Sequence, residues 1–578
     1  MTSKKIIQKI LFISVLIIFF LLNFRNIDYA LPFFVNSDEI AFLTSSISYI
    51  SFITNIEHRI IDPIIAPLLN IILILNLTFL NEFVLNSLSL AQLKDKIYLN
   101  PELLIYYGRI SSLIITTISL TILYLIFKKL KISCYIYFSI YISLLFSLFL
   151  TDIAIVNGKN SYYLLFFLIQ LYYMIKYLNN LDKFNFKGYI IFAILASFAY
   201  GTNYWSSIIS FYGVFVIHYQ KYKFNNLKFI IYFILIFFVL GFLPNYFLSS
   251  EFGEMKGPFG HIFGSSTDGY FSINEFITNF LNKIWLSFKI IFYTEVIFIL
   301  FIFLSIFYLF NNPQNKKNFI ILSILFLEPI LIFSIAADVS IQLRYLSGSI
   351  CLMYILLAII INDLINNNNS KIIISIFFVL NSFFAFSKSI DQSKLSDISN
   401  SNHSFYNFYL SNNNINNSTL YISNELFLRN NLQTLLLYKD FHEKNLIKSN
   451  IHKKFSLDSV LNKINKIKDK NKNFIISKNL KKDFNIFQTA DLDIKNINDF
   501  FYEIKKKYKF IAIDNKPDDI LIKTFIKENF KRRNVLYEND NNKIYFRNLR
   551  QMLEYVGRGN DLNVNIVFGN NYELYELF

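Results

Sequence analysis

Two adjacent carboxylates, Asp38 and Glu39, follow the first long apolar run of the sequence. A pair of carboxylates can accept a proton from a hydroxyl group during a reaction, and it can also hold a divalent cation. The same residues suit the start of a helix, with Asn36 or Ser37 as the N-cap and both acids in the first turn. Asp38 and Glu39 are therefore candidate catalytic residues, with Asp38 also a candidate metal ligand. Helix capping is the alternative.

Basic side chains stand where apolar runs begin. His58 and Arg59 precede a proline-containing run, Arg109 opens the next run, and Arg344 opens a later one. A guanidinium at a membrane edge is suited to bind phosphate through two parallel hydrogen bonds. It can equally extend along apolar surface to reach water. These four residues are candidates for phosphate binding, and an ordinary interfacial role is the alternative.

Three further acids, Asp152, Asp268 and Asp338, lie between apolar runs and are weaker candidates for a second acidic or substrate-binding group. Polar residues of this kind occur in any loop, and solvated surface is the ordinary interpretation of each. The six histidines show no metal-ligand spacing, and no serine stands in an identifiable nucleophile elbow. Zinc and serine-hydrolase chemistry are therefore not expected. The two cysteines, Cys134 and Cys351, lie within apolar runs and offer no disulfide framework.

The composition places these residues in a membrane protein. The chain of 578 residues is 54% hydrophobic and 17% charged, whereas soluble domains are about 45–50% apolar and about 25% charged. The net charge of +16 has no nucleic-acid-binding motif beside it, so no nucleic-acid partner is expected. Runs near the roughly 20 apolar residues of a membrane span are found at 7–24, 103–127, 133–151, 161–178, 228–247, 285–310, 318–336, 344–362 and 371–387.

The distribution of lysines orients these spans. The stretch 188–219 is too long for one helix and is interrupted at Gly201-Thr202-Asn203, which predicts two short spans joined by a turn. About eleven spans then place the lysine-rich loops and the N-terminus in the cytoplasm, as the positive-inside rule requires. The run 63–80 contains two prolines and is predicted to lie in the outer interface. The loop 25–102 and everything after 390 are expected outside the cytoplasm.

The C-terminal third has a different composition. Residues 390–418 are rich in Ser and Asn and are predicted to be a linker. Short apolar runs at 419–423, 473–477 and 509–514 are typical of buried strands. They alternate with helix-compatible stretches near 425–440, 457–469 and 497–508, and 545–578 adds strands or a tail. We expect a polytopic helical domain over 1–389 and a small extracytoplasmic α/β domain over 419–578.

The N-terminal residues resemble the membrane glycosyltransferases of superfamily C, and within them the protein O-mannosyltransferases and the bacterial lipid A aminoarabinose transferases. That family pattern has an acidic pair in the first outer loop, here Asp38-Glu39. An Arg opens the second span, here Arg109, and an Arg-Tyr enters a late span, here Arg344-Tyr345. The resemblance covers roughly residues 1–390.

The intervening part of the pattern is matched loosely. The family has a proline-containing interface helix with adjacent prolines, whereas here Pro63 and Pro67 are separated. The basic position before that helix is His58-Arg59. Asn203-Tyr204-Trp205 stands at the turn between the fifth and sixth spans, where the family usually has a basic residue.

The resemblance implies an inverting transfer of a sugar from a polyprenyl-phosphate-linked donor to a protein or glycolipid acceptor at the extracytoplasmic face of a bacterial cytoplasmic (inner) membrane. Asp38 would activate the acceptor, with a divalent cation as an option, and Glu39 would help to position it. Arg59, Arg109 and Arg344, with His58, would bind the phosphate of the donor. Membrane lipids would surround the spans.

A transporter or flippase of lipid-linked sugars is the alternative function, because it would share a basic outer edge. Transporters tend to have internal repeats and charged residues near the middle of the membrane. Here the charges gather at one face, with Glu295 and Glu328 as the main exceptions. This distribution favours the transferase.

Overall fold

The computed structural model describes most of the membrane part of the chain and the strands of the C-terminal part. The described ranges are 3–28, 63–87, 102–251, 273–295, 297–310, 316–335 and 346–367, with isolated positions between them that include Glu39, 45–47 and Lys96. Near the C-terminus they are 419–423, 485–488, 509–514, 530–535, 543–546, 565–568 and 572–577.

The membrane part is built entirely of helices in these ranges. They are α1 Ser3–Phe24, α2 Ile65–Thr78, α3 Glu102–Lys129, α4 Cys134–Leu145, α5 Leu148–Ile155, α6 Lys159–Leu178, α7 Phe186–Tyr200, α8 Ile208–Tyr222, α9 Lys228–Phe237, α10 Leu243–Glu251, α11 Ile273–Thr294, α12 Ile297–Phe310, α13 Lys316–Ile335 and α14 Ser347–Asn367. A π-helical segment, Phe79–Leu85, continues α2, and another, Phe238–Phe242, joins α9 to α10.

Six of the described helices are long and apolar enough to cross a membrane, or up to eight if each bent helix pair counts as one span. The chain is therefore a multi-pass membrane protein. The figure of eleven spans stays a prediction, and the predicted span 371–387 falls largely outside the described residues. The helix over Ile65–Leu85 also qualifies by length and composition. Its expected position in the outer interface therefore rests on the lysine distribution.

The predicted hairpin within 188–219 is confirmed as two helices, α7 and α8, separated by residues 201–207, of which Tyr204–Ser207 form a 3-10 helix. The side chain of Asn185 accepts a hydrogen bond from the backbone N–H of Lys187 and caps the start of α7. Asn203 accepts one from the backbone N–H of Trp205 at 3.3 Å. Two side-chain caps therefore fix where α7 begins and where the chain turns towards α8.

Two predicted spans are broken rather than straight. The predicted span 133–151 consists of α4 and α5, which are bent by 61° at Phe146 and Ser147. The span 285–310 consists of α11 and α12, bent by 114° around Glu295. Apolar length alone does not reveal such bends, because both halves of each pair are hydrophobic.

The N-terminus of α2 docks onto the tip of the α7–α8 hairpin. The backbone N–H groups of Ile65 and Ala66 donate to the carbonyl oxygen of Gly201 at 2.7 and 3.2 Å. The backbone N–H of Ile64 donates to Oδ1 of Asn245 on α10 at 3.1 Å. The first N–H groups of a helix have no partner within the helix. Here the hairpin tip and α10 supply those partners and hold the proline-containing helix in place.

The centre of the bundle lies around α14. Its apolar part, Ser347–Leu364, is enclosed by protein on nearly all sides. Helix α3 packs against α1, α2, α5 and α6. By contrast α1 exposes large apolar side chains such as Ile10 and Leu21, as expected of a helix that faces lipid. The residues of α3 that carry chemistry are therefore held inside the bundle.

The C-terminal part contains a five-stranded sheet with the order β2–β1–β3–β7–β4. Its strands are β1 Thr419–Ser423, β2 Asn485–Gln488, β3 Phe510–Asp514, β4 Phe530–Val535 and β7 Tyr572–Leu577, and β5 Lys543–Phe546 pairs with β6 Asn565–Phe568. Strand β1 is parallel to β2 and β3, and β7 is antiparallel to β3 and β4.

The predicted strands at 419–423 and 509–514 are confirmed, and strands are present in 545–578. Parallel neighbours need a crossover of a dozen or more residues between them. The predicted helices at 425–440, 457–469 and 497–508 lie in such connections, outside the described residues, as do the linker 390–418 and the strand 473–477. The α/β character of this domain stays a prediction.

We predict that Gly201→Ala destabilises the protein, because a Cβ there would lie 2.3 Å from Cγ1 of Ile65. Overpacking of this kind costs about 1–3 kcal/mol. The matched control is Gly213→Ala on α8, where the nearest atom to a Cβ is 3.4 Å away. Thermal unfolding in detergent should show a lower midpoint for Gly201→Ala than for Gly213→Ala. Equal midpoints would contradict the docking of α2 on the hairpin.

Candidate active site

Glu39 and Arg109, two of the predicted site residues, form a completely buried ion pair. Nε of Arg109 donates to Oε1 of Glu39 at 2.9 Å, and Nη2 donates to Oε2 at 2.8 Å. Both side chains are 0% exposed. The paired geometry matches the fork of a guanidinium to the two oxygens of a carboxylate. The structure thus joins two sequence motifs that are 70 positions apart.

Backbone groups from two other segments complete this pair. Nη1 of Arg109 donates to the carbonyl oxygen of Ile27, just after α1, at 2.7 Å. The backbone N–H of Asn157, between α5 and α6, donates to Oε1 of Glu39 at 2.7 Å. Burying an ion pair is favourable only when further hydrogen bonds satisfy the remaining polar atoms. Four segments of the chain therefore converge on Glu39 and Arg109.

Gly108 provides the space for this convergence. A Cβ at position 108 would lie 2.4 Å from Nδ2 of Asn157 and 2.5 Å from its Cγ. The residue beside Arg109 therefore has to lack a side chain for Asn157 to approach α3. Gly108 thus allows the close approach of Asn157 to α3, and Arg109 supplies the guanidinium that binds Glu39.

A second polar network fixes the segment that follows Glu39. Ser46 donates to the carbonyl oxygen of Phe42 at 2.8 Å and accepts from Nδ2 of Asn70 on α2 at 3.0 Å. Tyr162 on α6 donates to Oδ1 of Asn70 at 3.3 Å and lies 2.8 Å from Oγ of Ser111 on α3. The four side chains of this network, those of Ser46, Asn70, Ser111 and Tyr162, are all buried. The segment that follows Glu39 is therefore tied to three helices.

Arg109 has a different environment from the one expected. A guanidinium for donor phosphate was predicted at a membrane edge, but Arg109 is buried and engages Glu39 and Ile27. Its charge is compensated by the Glu39 carboxylate. This geometry favours a role in holding Glu39 over direct contact with a phosphate.

Asp152 also differs from its expected position. Solvated surface was the ordinary interpretation of this residue, but α5 continues to Ile155, and Asp152 is only 2% exposed. Its role as a second acidic or substrate-binding group stays a prediction. The other predicted site residues lie outside the described ranges: Asp38, His58, Arg59, Asp268, Asp338 and Arg344. Their roles stay predictions.

A third polar cluster, which the sequence did not reveal, lies at the end of the α2 extension. Glu82 accepts hydrogen bonds from Lys96 at 2.5 Å, Tyr107 at 2.8 Å and Asn86 at 3.0 Å. Tyr107 precedes Gly108 on α3, so the cluster fastens the α2 extension beside the ion pair. The spacing of Glu82 and Lys96 gives no recognisable motif, which is why they were missed.

The described residues do not form a metal centre around Glu39. Its two oxygens accept three hydrogen bonds, from Nε and Nη2 of Arg109 and from the N–H of Asn157. Within the ranges given above, no three His, Cys, Asp or Glu side chains gather to hold an ion.

We predict that Arg109→Met destabilises the protein by about 3–5 kcal/mol, because it leaves the buried Glu39 carboxylate without its partner. The double variant Arg109→Met/Glu39→Leu should recover part of that loss, since both charges are then removed. Lys96→Met is the control, because Lys96 is 25% exposed and its partner Glu82 keeps other donors. Thermal unfolding and membrane abundance measure the series. A stable Arg109→Met protein would contradict the structural role of the pair.

Neither a protein-family model nor a curated protein sequence matches this chain. Among solved structures, the chain is similar to that of ArnT from Cupriavidus metallidurans, crystallised with undecaprenyl phosphate. The similarity covers 99% of this chain and 98% of that one, with 10% sequence identity and a TM-score of 0.43.

Proposed function

We propose that this protein transfers a sugar from a polyprenyl-phosphate-linked donor to an acceptor at the extracytoplasmic membrane face. The buried pair of Glu39 and Arg109 is the observation that carries the proposal. It unites Glu39 of the acidic motif with Arg109, which lies near the start of the apolar run 103–127. These are two of the positions by which the sequence resembles the superfamily C glycosyltransferases.

Asp38 is the proposed acceptor-activating residue. Its Cα lies about 3.8 Å from that of Glu39, as for any consecutive residues joined by a trans peptide. A fixed Glu39 therefore restrains the position of Asp38. Because both oxygens of Glu39 accept hydrogen bonds from Arg109, we assign the base to Asp38, the other carboxylate of the motif. A general base needs both properties, a fixed position and an accessible lone pair.

The proposed reaction is a single in-line displacement. The acceptor oxygen or nitrogen forms a bond to the anomeric carbon as the bond from that carbon to the phosphate oxygen breaks, which inverts the configuration. The acceptor proton passes to Asp38, and the electron pair of the broken bond leaves on polyprenyl phosphate. Arg59 and Arg344, with His58, are the proposed cations that neutralise this leaving phosphate.

Asn157 is a further proposed substrate contact. Its side chain is completely buried, and neither its Oδ1 nor its Nδ2 has a hydrogen-bond partner among the described residues. Leaving a buried polar group unsatisfied costs about 1–3 kcal/mol. Its backbone N–H already contacts Glu39. We propose that the carboxamide is satisfied by a hydroxyl or phosphate oxygen of the bound substrate.

We predict that Asp38→Asn abolishes transfer while membrane abundance and unfolding temperature stay at wild-type values, because an amide cannot accept the acceptor proton. Purified protein is given several polyprenyl-phosphate sugars and acceptors, and released polyprenyl phosphate is scored. Asp182→Asn, the same change at an exposed turn, is the control and should keep full activity. Full activity of Asp38→Asn would remove the proposed base. Absence of release from every donor by folded wild-type protein would favour the transporter.

A second prediction separates contact with substrate from a structural role for Asn157. Asn157→Ala should lower kcat/KM about tenfold or more, as expected for a lost hydrogen bond to a charged group of the substrate. The unfolding temperature should not fall, because the side chain makes no hydrogen bond with the described residues that could be lost. Unchanged kinetics would show that the carboxamide does not contact the substrate.

A further inference from the structure

Glu295 is a buried acid that the proposed reaction does not use. It lies between α11 and α12, at the 114° bend that joins them, and it is 0% exposed. A carboxyl group inside a membrane protein is costly unless it has partners, and such groups are more often functional than incidental. The hydrogen-bond partners of Glu295 therefore indicate which helices it connects.

Those partners lie at the bend of the other broken helix and on the central helix. Oγ of Ser147, at the break between α4 and α5, donates to Oε1 of Glu295 at 2.5 Å. The hydroxyl of Tyr354 on α14 donates to Oε2 at 2.5 Å. The same hydroxyl lies 3.1 Å from Oγ of Ser143, on the other side of that break. The two helix breaks thus meet at one carboxyl group.

The short helix α5 connects this junction to the candidate active site. It begins directly after Ser147, whose backbone is extended, and it ends at Ile155. Eight helical residues span about 12 Å. Two residues beyond its end is Asn157, whose N–H donates to Glu39. The position of Ser147 therefore sets where α5 starts, and α5 sets where Asn157 meets Glu39.

We infer that Glu295 and Tyr354 are positioning residues for the site, acting through Ser147 and α5 on the contact between Asn157 and Glu39. The kinetic consequence of this inference rests on the proposed transferase function. The structural consequence, the placement of α5, does not. Without Glu295, the hydroxyl of Ser147 could bond to nearby backbone carbonyls, and the break between α4 and α5 would then be free to change its geometry. The carboxyl group removes that freedom.

Tyr354→Phe tests the inference, with Tyr308→Phe on α12 as the matched control. Tyr308 is also buried and also donates to a buried carboxyl, Oδ2 of Asp363 at 2.5 Å, but that pair has no connection to α5 within the described residues. Hydrogen–deuterium exchange of the peptide covering 147–157 should be about 10- to 100-fold faster in Tyr354→Phe, since a hydrogen bond to a carboxyl group is lost. It should be unchanged in Tyr308→Phe. Equal exchange in the two variants would overturn the inference.

Kinetics distinguish positioning from general packing. Glu295→Leu should lower kcat, because the acidic segment is misplaced, and should lower kcat/KM at least as much, because Asn157 is displaced with α5. Glu295→Gln keeps an acceptor oxygen for Ser147 and should restore kcat in large part. A Glu295→Leu protein with wild-type kcat and only a lower unfolding temperature would overturn the positioning role. If wild-type protein transfers no sugar, the proposed function fails, while the exchange experiment still decides whether Glu295 and Tyr354 place α5.

Discussion

A buried carboxylate–guanidinium pair in the interior of a membrane protein imposes conditions on everything around it. Glu39 and Arg109 are both inaccessible to water, so each polar atom has to find its partner in the protein. Ile27 and Asn157 supply backbone groups for this purpose, from the end of α1 and from the loop after α5. Gly108 is required because Asn157 packs against the α3 backbone. The acidic segment between the first two spans is thereby fixed to the bundle.

Around this pair the bundle uses irregular helices instead of straight spans. The α4–α5 break allows α5 to lead Asn157 towards Glu39, and the α11–α12 bend brings Glu295 to the same break. The carbonyl of Gly201 and the side chain of Asn245 hold the start of α2. Breaks and caps of this kind expose backbone groups that regular helices would use internally. In this protein those groups make the contacts that hold α2 and the segment around Glu39 in place.

The sequence was informative where one local signal determines structure. The interruption at Gly201-Thr202-Asn203 predicted the hairpin, and the apolar runs at 419–423 and 509–514 predicted strands. It placed Glu39 and Arg109 in one candidate site but not in contact, because nothing in a sequence pairs residues 70 positions apart. The contribution of Asn157 is a backbone N–H, which no residue pattern reveals. The helix bends could not be predicted from the sequence either, because both halves of each bent pair are apolar.

The central claim is that Arg109 holds Glu39 and that other cations receive the donor phosphate. A structure of the protein with a polyprenyl-phosphate sugar bound measures this most directly. We predict the anomeric carbon beside Asp38, the phosphate against Arg59 or Arg344, and the pair of Glu39 and Arg109 intact. A phosphate bound directly by Arg109, with Glu39 released from it, would contradict the account.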